Sequence, residues 1–305
     1  MSAPASNAGT PVNWQQTALI TVVAVAMFVF VRQLPVGSDL NHMDFRVSEK
    51  GAIEFCDPSS PQFIPVVAVK SPVSLGLRAA GPWQPGLANT VTLTLRTAGG
   101  KPIGPADLLV AHTRKLHLLV IDPTLQDYQH LHPEPGAQPG EWVFSITPRL
   151  DGLYRVFADF VPAATGRGLY AAAEFEVPGG GAAAAAQPGL THEADGLRYT
   201  LEHTYLKVGK QAELRFRVES TTAGGRVGLE PVMDAYAHLV TFDEGRSGFA
   251  HLHPAETDLA KIPDPVKPEL TFKVTIPRAG RFIVWAQVQV AGRDRFAPFA
   301  ITVNP

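Results

Sequence analysis

Two stretches of this chain carry three histidines at the same spacing. Residues 117–133 read HLLVIDPTLQDYQHLHP and residues 238–254 read HLVTFDEGRSGFAHLHP. They align without a gap over 17 positions, of which seven are identical: His117/His238, Leu118/Leu239, Asp122/Asp243, His130/His251, Leu131/Leu252, His132/His253 and Pro133/Pro254. A neutral imidazole is the commonest metal ligand among side chains. Three on one rigid surface give a three-nitrogen set with an open fourth position, which suits zinc or copper. The candidate metal ligands are therefore His117, His130 and His132 in the first copy, and His238, His251 and His253 in the second. No residue is singled out as catalytic.

The element needed to hold such a set is a β-hairpin. If residue 121 faces 128, then His117 faces His132 and position 119 faces His130. Directly paired residues share a face, as do residues two apart on one strand. All three imidazoles then cluster on one side. A slip of one residue would send His117 to the opposite face, so the cluster depends on register.

A second reading stands beside the first. A histidine on a sheet also hydrogen-bonds backbone or carboxylates, and Pro133 and Pro254 also serve to end strands. On that reading the pattern fixes the fold and binds nothing. His112 is a candidate fourth ligand for the first copy, although the second copy is apolar there, near Val232. Asp122, Glu134, Asp243 and Glu256 are candidate oxygen donors. Blue copper needs a cysteine ligand, and the single Cys56 lies outside both copies. Met1, Met27, Met43 and Met233 are the only methionines, too few for a Met-rich copper(I) protein. The sequence contains no G-x-S-x-G elbow, P-loop or H-E-x-x-H motif.

The duplication extends further. DGLYRVFADF at 151–160 matches AGRFIVWAQV at 279–288. TVTLTLRT (90–97), EWVFSITP (141–148), AELRFRVES (212–220) and ELTFKVTIP (269–277) alternate with the period of a half-buried strand. Turn signals separate them, and Gly and Pro number 27 each. This predicts a mainly β protein with two tandem Ig-like antiparallel β-sandwich domains. The expected boundaries are a polar tail at 1–13, a transmembrane anchor at 14–34, an extended Pro-rich connection at 35–85, the first repeat at 86–178, a Gly/Ala linker at 179–189 and the second repeat at 190–305. Part of 63–75 is expected to supply an edge strand. A net charge of −2 argues against a nucleic-acid partner.

Residues 17–31 read TALITVVAVAMFVFV. With Trp14 before the run and Arg32 after it, the stretch predicts an uncleaved single transmembrane helix contacting membrane lipid.

The strand histidine, the H-x-H-P group at His130–Pro133 and the block Gly152–Phe160 together resemble bacterial extracytoplasmic proteins described as YtkA-like or heavy-metal-associated. In the second copy Arg155 and Asp159 become Ile283 and Gln287. The resemblance covers roughly 86–305. It implies an Ig-like β-sandwich outside the cytoplasm, hence a bacterial inner-membrane protein with its C-terminal domains in the periplasm. The expected function is a non-catalytic accessory subunit docked on an integral membrane complex of respiratory or photosynthetic type. The alternative is a tethered copper- or zinc-binding protein that uses the two histidine clusters.

Overall fold

The computed structural model describes residues 13–33, 46–47, 53–54, 61–68, 71–179 and 187–305. The polar tail up to residue 12, most of the connection at 35–60, Cys56 and the linker residues 180–186 lie outside the described residues. The chain divides into two units, Met1–Asn41 and His42–Pro305.

The first sandwich packs two antiparallel sheets. One runs Val73–Ala79, Asn89–Thr97, Glu141–Ile146, Glu134–Pro135; the other runs Leu169–Val177, Gly152–Pro162, Leu116–Ile121, Tyr128–Leu131. The second sandwich repeats this plan. Its sheets are Thr191–Ala194, Leu197–His203, Gln211–Ser220, Glu269–Thr275, and Arg293–Val303, Gly280–Val290, His238–Asp243, Phe249–Leu252. Each fills its interior with alternate residues of facing strands, such as Val91, Leu93, Trp142 and Val156 in the first. Leu214, Phe216, Phe272 and Val284 do the same in the second.

The strands Leu116–Ile121 and His238–Asp243 are buried at every position. Leu116, Leu118 and Val120 enter the first core. The residues between them face outward, where Leu119, Ile121, Tyr128 and Phe157 form a further core with Val240, Phe242, Phe249, Ile283 and Trp285. The two sandwiches are thus joined sheet to sheet through their outer faces. A sheet buried on both sides needs apolar residues at both parities, and LHLLVI supplies them.

The joining is a pseudo-two-fold, because its contacts come in exchanged pairs. Phe157 meets Phe249 at 5.4 Å between ring centroids, and its equivalent Trp285 meets Tyr128 at 5.9 Å. Tyr170 meets Phe249 at 5.5 Å, and Phe296 meets Tyr128 at 6.0 Å. Tyr170 and Phe296 are equivalent because they pair with Asp159 and Gln287 respectively.

The stretch 61–68 is an added strap on the second sandwich. Ile64 and Phe249 exchange backbone hydrogen bonds (2.7 and 3.1 Å), and Thr275 N–H donates to Pro61 O at 3.0 Å. Phe63 is buried in the second core. The edge strand that follows, Val73–Ala79, belongs to the first sandwich.

The expected transmembrane anchor at 14–34 is overturned. A helix does form, Trp14–Gln33, but no described helix is long and apolar enough to cross a membrane. Its uncharged run, 17–31, rises about 22 Å at 1.5 Å per residue, against a hydrocarbon core of about 30 Å. Gln15 and Gln16 before the run, and Arg32 and Gln33 after it, do not extend it. The single-pass inner-membrane placement with periplasmic domains falls with the anchor.

Candidate metal centre

The site begins with two turns. The Asp122 carboxylate, fully buried, accepts the backbone N–H groups of Thr124 (2.8 Å), Gln126 (2.7 Å) and Asp127 (2.8 Å). Asp243 accepts Ser247 N–H at 2.7 Å in the second copy. Each carboxylate winds its own hairpin turn and so sets the register beyond it. That register is Ile121↔Tyr128 and Leu119↔His130 in the first copy. In the second it is Phe242↔Phe249 and Val240↔His251. His117, His130 and His132 come together, as do His238, His251 and His253, with the donor atoms of each trio within 4.8 Å of one another.

Because the outer faces dock on each other, the trios are neighbours. The His130 and His251 rings are 5.3 Å apart, and those of His117 and His251 are 5.9 Å apart. His112 joins them from a different side than expected. Its ring stands 3.8 Å from that of His253 in the second copy and 6.4 Å from that of His117 in its own.

Hydrogen bonds fix the tautomers. A backbone carbonyl can only accept, so His117 Nε2–H donates to Ala111 O at 3.0 Å and His238 Nε2–H donates to Val232 O at 2.9 Å. Their Nδ1 atoms therefore carry lone pairs. Gln287 donates its amide N–H to Asp294 at 3.2 Å, so its oxygen faces His130 and accepts Nδ1–H at 2.9 Å. On the other side, His251 Nδ1 lies 3.3 Å from Asp159 Oδ2, which accepts its proton. Asp159 and Gln287 are equivalent positions, so this is another exchanged pair across the two-fold. Each fixes the middle histidine of the opposite sandwich.

One consequence is that His117 Nδ1 and His130 Nε2, 3.3 Å apart, present lone pairs to each other. Neither carries a proton to share. Burial holds His117 down to about 4, with His251 also lowering it and Asp159 opposing. Burial likewise pushes His130 well below the usual imidazole range, with His251 and His117 adding to the effect. Two facing lone pairs repel unless a cation lies between them. Nitrogens bound to one tetrahedral zinc at about 2.0–2.1 Å sit about 3.3 Å apart. His132 Nε2, His238 Nδ1 and His253 Nε2 are buried with no hydrogen-bond partner among the described residues. Burial pushes His132 and His238 down to about 3, and holds His253 well below its usual range. His117, His130, His132, His238 and His253 are thus held neutral by burial, and an imidazole set of this kind suits zinc or copper.

The expected oxygen donors go elsewhere. Asp122 and Asp243 hold turns, Glu134 pairs with Arg114 at 3.4 Å, and Glu256 accepts Thr271 N–H at 2.9 Å. Sequence reasoning missed Asp159 and Gln287 as orienting groups. The available signal was the second repeat block, whose strand places Asp159 beside His117 and Gln287 beside His238.

The sequence matches the family described as Domain of unknown function (DUF8832) twice, over residues 71–179 and 192–305. No curated protein matches it. Among solved structures it is similar to FdeC, a broadly conserved Escherichia coli adhesin, at 17% identity and a TM-score of 0.23, covering 76% of this chain and 66% of that one. E. coli alpha-2-macroglobulin matches at 12% identity and a TM-score of 0.22, with 76% of this chain but only 17% of that one covered. MtrC from Shewanella baltica OS185 matches at 7% identity and 0.23, covering 75% and 69%. Likenesses at these scores carry no argument about function.

Proposed function

Since the chain belongs to the DUF8832 family, a domain of unknown function present here twice, its role is read from its own residues, and we propose that it is a metal-binding protein that takes copper or zinc in its histidine trios. The observation that carries this is the facing pair His117 Nδ1 and His130 Nε2 at 3.3 Å, each with its other ring nitrogen tied to a protein oxygen. A purely structural histidine pair would place a donor against an acceptor. Here both tautomers are set for a cation. The YtkA-like, heavy-metal-associated resemblance of the H…HxHP pattern accords with this reading. The docking subunit expected first from the sequence drew on the anchor, the absence of enzyme motifs, the low charge and 35–85. The helix does not supply the anchor, and residues 61–68 of that stretch are bound to the second sandwich.

The test is metal content per chain after loading with Zn2+ or Cu2+ and dialysis, for the parent protein and for His130→Ala and His251→Ala. Circular dichroism checks that each variant is folded. Folded variants that retain the parent's full metal content would overturn the proposal.

A further inference from the structure

The two trios are alike in their histidines and in the turns that hold them, but they differ at two equivalent positions. The difference follows the pseudo-two-fold. Asp159, a carboxylate, holds His251, while its equivalent Gln287, a neutral amide, holds His130. A carboxylate therefore bonds directly to the second trio, whereas the first trio's middle histidine meets a neutral amide, with the Asp294 carboxylate one bond further back and Asp159 paired beside His117.

The second difference lies in two matching turns. Ala111–Arg114 and Val232–Ala235 are each closed by an isolated bridge. Their central residues have left-handed backbones: His112 (φ 48) and Thr113 (φ 68), against Met233 (φ 49) and Asp234 (φ 61). Each turn also supplies the carbonyl, Ala111 O or Val232 O, that fixes the first histidine of its own copy. His112 and Met233 are thus equivalent positions. His112 crosses the interface to stand 3.8 Å from His253. Met233 is buried, and we infer from the same two-fold that it crosses to the His132 side as His112 crosses to His253.

Resting on the metal-binding reading above, we propose that the trios form one centre of two unequal pockets. His238, His251, His253 and the crossing His112 take a divalent ion, Zn2+ or Cu2+. His117, His130, His132 and the crossing Met233 take copper(I). A thioether is a soft ligand that selects copper(I), and four imidazoles suit zinc or copper(II). The charge arrangement agrees. A carboxylate behind an imidazole raises the basicity of the ligand and offsets the charge of the ion. With the His130 and His251 rings 5.3 Å apart, a singly and a doubly charged ion repel half as strongly as two doubly charged ones at equal separation. Each pocket draws its fourth ligand from the opposite sandwich, so the docked pair of domains is the binding unit.

The experiment titrates the whole chain with Zn2+, and separately with copper(I) under anaerobic conditions against a competing chelator, and then with both together. The expected result is one ion of each kind bound at once. Met233→Leu should weaken copper(I) by at least the roughly tenfold that even an outer-shell change costs, leaving zinc unchanged. His112→Leu should weaken zinc by at least as much, leaving copper(I) unchanged. Equal losses for both ions in either variant, or no loss in both variants, would overturn the unequal pockets while leaving metal binding in place. Failure of the parent chain to bind either ion would overturn the underlying reading as well.

Discussion

Replacing His253 by leucine separates a ligand from a packing residue. The His253 side chain is 7% exposed. Its ring packs on those of His112, His238 and His251 at 3.8, 4.7 and 4.9 Å. Its Nε2 has no hydrogen-bond partner among the described residues. A buried polar atom without a partner costs about 1–3 kcal/mol. Leucine has a similar volume, and volume-conserving apolar exchanges cost less than about 1.5 kcal/mol. The metal-free variant is therefore expected to be as stable as the parent or up to about 2 kcal/mol more stable, a Tm rise of up to about 8 °C for a fold of this size. Metal reverses the order. At a hundred times its dissociation constant, an ion bound only by the folded state stabilises it by about 2.7 kcal/mol, or about 5–10 °C in Tm. The variant should lose the zinc-induced part of this gain. The assay is thermal unfolding followed by circular dichroism, with chelator and then with excess Zn2+. A chelated variant destabilised by more than about 2 kcal/mol, with its zinc-induced shift intact, would refute the reasoning, since the ring would then serve packing alone.

Further outcomes follow from the same contacts. Asp159→Asn keeps an acceptor for His251 but removes the charge, so zinc affinity should fall about 10- to 100-fold, as read by competition titration. Trp285 is buried in the interface and donates Nε1–H to Leu125 O at 3.2 Å. Trp285→Ala should cost about 3–5 kcal/mol in denaturant unfolding and weaken both pockets together. Tyr154 donates its hydroxyl to the buried Asp127 at 2.7 Å. Tyr154→Phe removes a bond to a charged group and should cost about 1.5–3 kcal/mol, measured by urea unfolding with metal chelated. For the metal-free protein, burial holds His117 at about 4 and His132 and His238 at about 3, against about 6.5 when unfolded. The unfolded chain therefore binds more protons between these values. The stability present above pH 6.5 should be lost as pH falls toward 3, at about 1.4 kcal/mol per pH unit for each fully buried group. A flat stability profile from pH 7 to 4 in chelator would count against neutral buried imidazoles.

Each histidine trio was legible because it is local. A hairpin with a turn wound on Asp122 or Asp243 leaves little freedom in register, and period-two geometry then decides which side chains share a face. The alternating strands were legible for the same reason. The helix at 14–33 was legible as a helix, but its relation to a membrane was not. The flanking aromatic and cation suggested a span that the length of the apolar run does not provide. An edge strand is expected within 63–75, but the docking of 61–68 on the second sandwich is not legible, because its partners Phe249 and Thr275 lie far along the sequence.

The sequence by itself determined the duplication, the strands and the two sets of three histidines, since these depend on spacing along single hairpins. It also held a partial sign of the docking: LHLLVI at 116–121 is apolar on both faces apart from its histidine, more than a one-sided sheet requires. Only the tertiary structure decided that each sheet finds its second cover on the other copy. That docking brings the two trios side by side, sends His112 to the opposite sandwich, and places Asp159 and Gln287 behind the histidines of the other copy. These contacts join residues more than 90 positions apart. Local propensity does not encode such pairings; they are selected by the burial of two apolar outer faces against each other.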